Sequence, residues 1–568
     1  MTNLIMAIAA IVLVIAGYHW LGAGFLYLLA VALAAAVFAR CTLFSGLQVR
    51  RMRWRTLIRV RPGPGFATLP ELWWRWGRLA ALYYGRRTRP GIGLARRLVT
   101  RTTAFGVRLG RGPYLRRCYV NPEHQTLYLA PPRKGKTGAL GDRAIDHPGP
   151  AMVHETRPDQ FWGTAGYRAR RGPVQTFNPD NLGGIPSTFG WAMTVGCDDP
   201  AEALYRAADL VGAVADTGEM RWWVEKAQTA LAAGVHAAGL LTGDGAAPAA
   251  AAAIAGSLHA AGLAHADMGS VWAWAYGDKT LVRDAQSHPA ASLPLLGALT
   301  ELDRPGKTAD SVRITMSKAL AWMAVPRLRD MVTGPAARPF NVPAWIDACG
   351  TIYMISPGGE LSPAAPLFRC FTSYVHREAK RYAQRLPGRR LDPGLLFALD
   401  ELDKCPVDLP GWLADSGGSG IQVAAVVHST GQLVDKYGTA GLDTIWSTAG
   451  LKIFFGGNHH VRTLQDISVL GGTLPGGEAR GLNPVIPVEF LARMPNWRAL
   501  VIADNLFPVV IKIRPYWKRT RSRLGLAPRP PVLTAWADTV AGNGHAPVRD
   551  TAPLSWPAGV GADDGAEA

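Results

Sequence analysis

The pattern of hydrophobic and polar positions divides this chain into distinct regimes. Residues 4–38 contain no Asp, Glu, Lys or Arg, which is longer than the roughly 20 residues one helix needs to span a bilayer. Aromatics and glycines at its centre, GYHWLGAG at 17–24, leave two readings open: two short spans, 4–20 and 21–38, joined by a tight turn, or one long tilted span. From residue 125 onward, short apolar runs ending in turn residues predict buried strands. QTLYLAPP (125–132), PAMVHE (150–155) and VQTFNPD (174–180) come first. Residues 201–328 are alanine-rich with helical periodicity, and RWWVEKAQTALAAGVHAAGLL (221–241) predicts one long helix. Strands resume at GTIYMISPG (350–358), GLLFALDE (394–401), IQVAAVVHS (421–429), LKIFFGG (451–457) and ALVIADNLFPVVIKIRP (499–515). Strands alternating with helices predict an α/β domain on a parallel sheet covered on both faces. The helical block is then an insertion, and the Pro-, Ala- and Gly-rich residues 522–568 a disordered tail.

Charge sets an orientation. Lys and Arg number 61 against 42 Asp and Glu, a net charge of +19, which points to nucleic acid, anionic lipid or both as partners. Between Arg40 and Cys118 the many arginines meet a single acid, Glu71. A basic flank stays cytoplasmic, so the chain is placed in the inner (cytoplasmic) membrane with its bulk in the cytosol. Topology and lipid contact account for this flank without nucleic acid, although WRW at 74–76 adds aromatics. The start MTNLIM lacks the basic region of a cleavable signal peptide. The six cysteines form no CxxC pair, which argues against a zinc site or disulfide framework.

The chemistry falls at three strand ends. Ala130-Pro131-Pro132-Arg133-Lys134-Gly135-Lys136-Thr137, continued by Gly138, has the spacing of a phosphate-binding loop between a strand and a helix, with alanine in place of the first glycine. Such loops hold phosphate by converging backbone N–H groups and a helix N-terminus. Lys136 would reach the β- and γ-phosphates of ATP and Thr137 would hold Mg²⁺; the plainer reading is a solvated basic turn. LLFALDELD (395–403) ends an apolar strand in two acids. Asp400 suits a Mg²⁺ partner and Glu401 a base for the attacking water. In VAAVVHSTGQL (423–433), His428, Ser429 and Gln432 can sense the γ-phosphate, and a hydrogen-bonded structural histidine is the alternative for His428.

With these motifs in this order, the chain resembles the type IV coupling proteins, the TraG/TraD-type ATPases of conjugation and type IV secretion. The resemblance rests on the apolar N-terminus, the loop, KTADSVRITMSKALAWM (307–323) and, most specifically, residues 395–457. It implies a RecA-like P-loop NTPase domain with an inserted all-α domain behind a transmembrane anchor. The boundaries expected are 1–39 for the anchor, 40–118 for a basic juxtamembrane segment, 119–200 and 331–521 for the two parts of the NTPase domain, and 201–330 for the insertion. It implies a homo-hexameric ATPase that passes DNA, single-stranded and carrying a relaxase, to type IV secretion channel components at the membrane. Two alternatives stand beside it: an FtsK-like translocase of double-stranded DNA, and a nucleotide-binding cargo receptor without turnover. The family often places an arginine serving a neighbouring subunit before GI; here the segment is DSGGSGI (415–421), leaving Arg313 and Arg462 as candidates. The family's sensing glutamine aligns with His428, and its acid-and-lysine segment with HETRPDQF (154–161).

Overall fold

The computed structural model describes residues 64–113, 116–212, 221–242, 267–276, 280–286, 288–302, 306–333, 337–359, 362–458, 460–474 and 483–533. The predicted anchor and the end of the tail lie outside these residues. Among the described residues no helix is long and apolar enough to cross a membrane. The chain divides into two units, 1–64 and 65–568, and the second carries the sheet and the helical block.

The frame of this second unit is an eleven-stranded mixed sheet. In chain order the strands are β1 (Val107–Arg111), β2 (Arg117–Val120), β3 (Thr126–Leu129), β4 (Ala151–Glu155), β5 (Val174–Phe177), β6 (Thr351–Ile355), β7 (Leu395–Leu399), β8 (Ile421–Val427), β9 (Leu451–Phe455), β10 (Arg498–Ala503) and β11 (Val509–Lys512). Across the sheet they run β2-β1-β11-β10-β9-β3-β8-β7-β4-β6-β5. From β9 to β5 every pairing is parallel. Those strands are largely apolar because both faces are covered: all of β3, β4, β6, β7 and β8 is buried, including His154 and Glu155 at the end of β4.

The remaining edge departs from the expected parallel sheet. Residues 499–515 form not one strand but an antiparallel pair, β10 and β11, with Val501 opposite Val509. The seven residues between those partners are too few for a parallel crossover, so the chain must reverse. β1 and β2 extend this antiparallel edge and draw residues 107–111 and 117–120 into the sheet, although composition groups most of them with the basic flank. Residues 528–529, grouped with the tail, run against the helix Asp159–Arg168, where a side chain in place of Gly166 would collide with the Pro528 and Arg529 carbonyls. Leu533 is buried beyond them.

Between residues 200 and 329 the described elements are all helices, and the predicted long one spans Arg221–Thr242. A charged cluster ties this block to the sheet domain. Glu202, on the helix Pro200–Val211, meets Arg206 at 3.0 Å, Arg377 at 3.2 Å and Arg381 at 3.0 Å. Arg377 also meets Asp209 at 2.7 Å, and both Arg377 and Arg381 come from the helix Ala365–Arg385, which leads into β7. Burial pushes the Glu202 carboxyl up, but the arginines outweigh it and hold it below its ordinary value.

A buried charge stripped of its partner is costly, whereas an exposed pair contributes little. Glu202→Ala should therefore destabilise the chain by about 3–5 kcal/mol in chemical denaturation. Arg381→Ala, whose side chain is 40% exposed, should cost about 0–1 kcal/mol. Because the Glu202 pKa is depressed, its contribution is present at neutral pH and disappears as pH falls through the folded-state value. Equal costs for the two variants would contradict this account.

Candidate active site

Register brings the chemistry to one edge of the sheet. Val427 of β8 pairs with Leu129 of β3, and Ala425 of β8 with Leu399 of β7. Residues 130, 400 and 428 therefore leave the carboxyl ends of neighbouring parallel strands, where ligands bind in open α/β sheets. β8 lies between the loop strand and the acid strand, so side chains must reach across it.

The loop folds as its spacing predicts. Arg133 (φ 61°) and Gly135 (φ 92°) both adopt left-handed backbone, which turns successive N–H groups toward a common centre. Gly135 N-caps the helix Lys136–Asp146. Ala130, at the position of the missing glycine, has an ordinary negative φ, is fully buried and belongs to the main apolar cluster. Its N–H donates to the Val427 carbonyl at 3.0 Å. No left-handed conformation is required there, so a methyl group costs nothing. Pro131 is half-buried, and Pro132 and Arg133 are exposed at the rim. The Lys134 ammonium donates to Asn496 Oδ1 at 3.0 Å, and Gly138 is buried in the first turn of the helix.

Lys136 is buried and its Nζ is shared, 3.1 Å from His428 Nε2 and 3.5 Å from Glu401 Oε1. His428 Nδ1 lies 3.1 Å from the Ala130 carbonyl. A carbonyl can only accept, so Nδ1 carries the proton and Nε2 accepts from Lys136. The histidine thus positions the lysine as well as the loop. Gln432 Oε1 accepts from the His428 N–H at 2.8 Å, so Gln432 acts on the site through His428. Ser429 is the N-cap residue of the helix Thr430–Thr448.

The two acids occupy different environments. The Thr137 hydroxyl donates to Asp400 Oδ2 at 2.7 Å, with Gln160 Nε2 at 3.5 Å from the same oxygen. Asp400 Oδ1 is buried and has no hydrogen-bond partner among the described residues. Burial pushes the Asp400 carboxyl up, against Thr137 and Lys136, which favour its ionised form. An unsatisfied carboxylate oxygen beside a threonine hydroxyl is the donor set a hard cation takes. Glu401 is half-exposed, at φ 53°. Burial pushes its carboxyl up, but Lys404 at 2.8 Å, Lys136 and the Thr156 hydroxyl at 3.0 Å together bring it down to about 2.

Every loop and acid residue singled out in the sequence is thus gathered at one place. Arg313 and Arg462 are exposed on the helices Lys307–Leu320 and Val461–Leu470. Thr156, Gln160 and Lys404 were missed as individual contacts. The first two lie in HETRPDQF and the third directly follows LLFALDELD, so the signal was adjacent in each case.

Residues 394–474 match the TraG-D_C family, described as the TraM recognition site of TraD and TraG. That match spans β7, β8 and β9 with both acids, His428 and Gln432. Over those residues the chain is similar to TraD and TraG. Solved structures agree on the fold. The plasmid coupling protein TrwB in complex with the non-hydrolysable GTP analogue GDPNP is 17% identical, with a TM-score of 0.50 over 69% of this chain and 86% of that one. TrwB with a non-hydrolysable ATP analogue is 18% identical, with a TM-score of 0.50 over 69% of this chain and 85% of that one. No relative was found among curated proteins.

Because burial raises the Asp400 pKa, its ionised form costs stability at pH values above the range where an unfolded aspartate titrates. Asp400→Asn should raise the melting temperature of the nucleotide-free protein at neutral pH. The gain should shrink as pH falls and the wild-type acid takes up its proton. Ala130→Gly should lose about 0.5–1 kcal/mol of stability with nucleotide affinity unchanged. A melting temperature lowered by Asp400→Asn would contradict the first expectation, and tighter nucleotide binding by Ala130→Gly the second.

Proposed function

We propose that the chain is a membrane-anchored ATPase of the inner membrane that couples DNA, carrying its relaxase, to a type IV secretion channel, working as a homo-hexamer. The observation that carries the enzymatic part is the convergence of Lys136, Glu401, Thr137 and Asp400 at one loop. TrwB, which shares the fold, has been solved with GTP and ATP analogues, and this supports a nucleoside triphosphate as ligand.

In this reading, the loop N–H groups hold the β-phosphate at the helix N-terminus, and Lys136 moves from Glu401 and His428 onto the phosphates. Glu401 then loses one of its two cations and becomes a better proton acceptor. It takes a proton from water as the water oxygen bonds to the γ-phosphorus and the bond to the bridging oxygen breaks, giving ADP and inorganic phosphate. Thr137 and Asp400 would hold Mg²⁺, which when bound neutralises charge on the phosphate oxygens. The unpartnered Asp400 Oδ1 supports that fit.

The DNA part is supported by the net charge of +19 and by a cleft of about 740 Å³ lined by Arg101, Arg170, Arg171, Arg514, Arg519 and Arg521. Arginines in that number suit a phosphate backbone, bound without regard to sequence and weakened by salt. Asp142 and Asp146 neutralise Arg519 at 2.5 and 2.9 Å, whereas no ion pair holds Arg101, Arg170 or Arg521 among the described residues.

ATP hydrolysis should rise with DNA and fall by ~100-fold or more in Lys136→Ala, the scale on which loss of a transition-state contact is felt. Glu401→Gln should retain ATP binding and lose hydrolysis. Phosphate release by Lys136→Ala at the wild-type rate would overturn the site. Tight ATP binding without phosphate release, with DNA and membranes present, would favour a receptor without turnover. Stimulation confined to double-stranded DNA would favour an FtsK-like motor.

A further inference from the structure

Two tryptophans that the chemistry above does not use sit against the loop. Trp497 immediately precedes β10 and Trp517 follows β11. β10 is antiparallel to β9, with Ala499 opposite Phe455, and Lys512 of β11 lies opposite Arg498. Both indoles are therefore delivered to the edge of the sheet that carries the loop. A β-carbon at Gly135 would collide with Trp497 Cζ3, and one at Gly138 would lie 2.5 Å from Trp517 Cη2. The rings thus rest on the loop backbone at two of its glycines. Their centroids are 5.8 Å apart with planes crossed at 80°.

Both indoles remain half-exposed, whereas Tyr516 beside Trp517 is buried. The segment is fixed from two sides. The Tyr516 hydroxyl donates to the Asp159 carbonyl at 2.9 Å, and Arg519 pairs with Asp142. Trp497 holds φ at 65°, a left-handed conformation that is strained for a bulky residue and concentrates at functional sites. Half-exposed aromatic surface held rigidly against a phosphate loop calls for a flat ligand.

Sheet order gives the direction. β8 and β7, with His428, Glu401 and Asp400, lie on one side of β3; β9 and β10 lie on the other. Lys136 meets Glu401 and His428 on the first side, so the γ-phosphate end lies there. A nucleotide running across the helix N-terminus carries its α-phosphate and nucleoside toward the second side, where Gly138 and the two indoles stand. We propose that Trp497 and Trp517 form the stacking platform for the nucleobase of the bound nucleotide, an inference that rests on the nucleotide reading above. Crossed indoles make a corner in which a flat ring lies on one face and meets the edge of the other. Stacking of this kind accepts any base, since each presents a π-face.

The test is calorimetric titration of the full chain with Mg-ATP and with Mg-tripolyphosphate, which has the phosphates and no base. Trp517→Ala should raise the Kd for ATP about 10-fold and leave that for tripolyphosphate unchanged. Trp517→Phe, which keeps a ring, should bind ATP nearly as wild type. Trp517→Leu, which keeps apolar bulk without a π-face, should behave as Trp517→Ala. Equal weakening of both ligands by Trp517→Ala would mean that the indole only buttresses the loop, and would overturn the proposal. ATP binding at wild-type strength in Trp517→Ala or Trp517→Leu would also overturn it. If Lys136→Ala left both ligands unaffected, the phosphate-loop reading itself would fail, and the platform with it.

Discussion

The site depends on a reach across one strand. β8 separates the loop strand from the acid strand, so Lys136 and Thr137 must meet Glu401 and Asp400 over its carboxyl end. They do, at 3.5 and 2.7 Å. His428, at the end of the intervening strand, joins the closure through both ring nitrogens. The loop cation and Glu401 thus pair with one another, while Asp400 keeps one unpartnered oxygen. A charge taken from water needs a partner, and the nucleotide-free protein supplies one from inside the site. On the proposed reading a triphosphate competes with Glu401 for the same ammonium, which would give nucleotide binding a direct electrostatic effect on that carboxylate.

That constraint also sets the two acids apart. Asp400 is deeply buried, carries an unpartnered oxygen and is held by a hydroxyl and an amide. Glu401 is half-exposed between two lysines and stays ionised. Adjacent residues on one strand end thus differ in both solvation and charge environment, which suits the first to the cation and the second to the base of the proposed reaction. The same strand edge receives the hairpin β10–β11, so its flanking tryptophans approach the loop from the side opposite the acids.

Much of this was legible in the chain. Buried parallel strands are largely apolar, and turn residues bound them sharply, so QTLYLAPP, LLFALDE and IQVAAVVHS each announce a strand ending in chemistry. Long-range pairing is what pattern does not carry. Nothing in residues 107–120 signals that β1 and β2 join the far edge of the sheet, because they are short and arginine-rich. The run 499–515 is apolar on both sides of its turn, which hid the reversal. Ala130 raised a doubt that the structure removes: its backbone does not need glycine, whereas Gly135 does. Trp497 reaches the site only through folding, and no local pattern distinguishes it, whereas HETRPDQF marks the segment of Thr156 and Gln160 without marking their contacts.

The central claim is that Lys136 exchanges Glu401 for the phosphates, and one comparison of ATP affinities tests it directly. Removing the Glu401 charge frees Lys136 before ATP arrives. Glu401→Gln should therefore bind ATP several-fold more tightly than wild type, and the gain should vanish when Lys136→Ala is added. ATP affinity unchanged or weakened in Glu401→Gln would contradict the account.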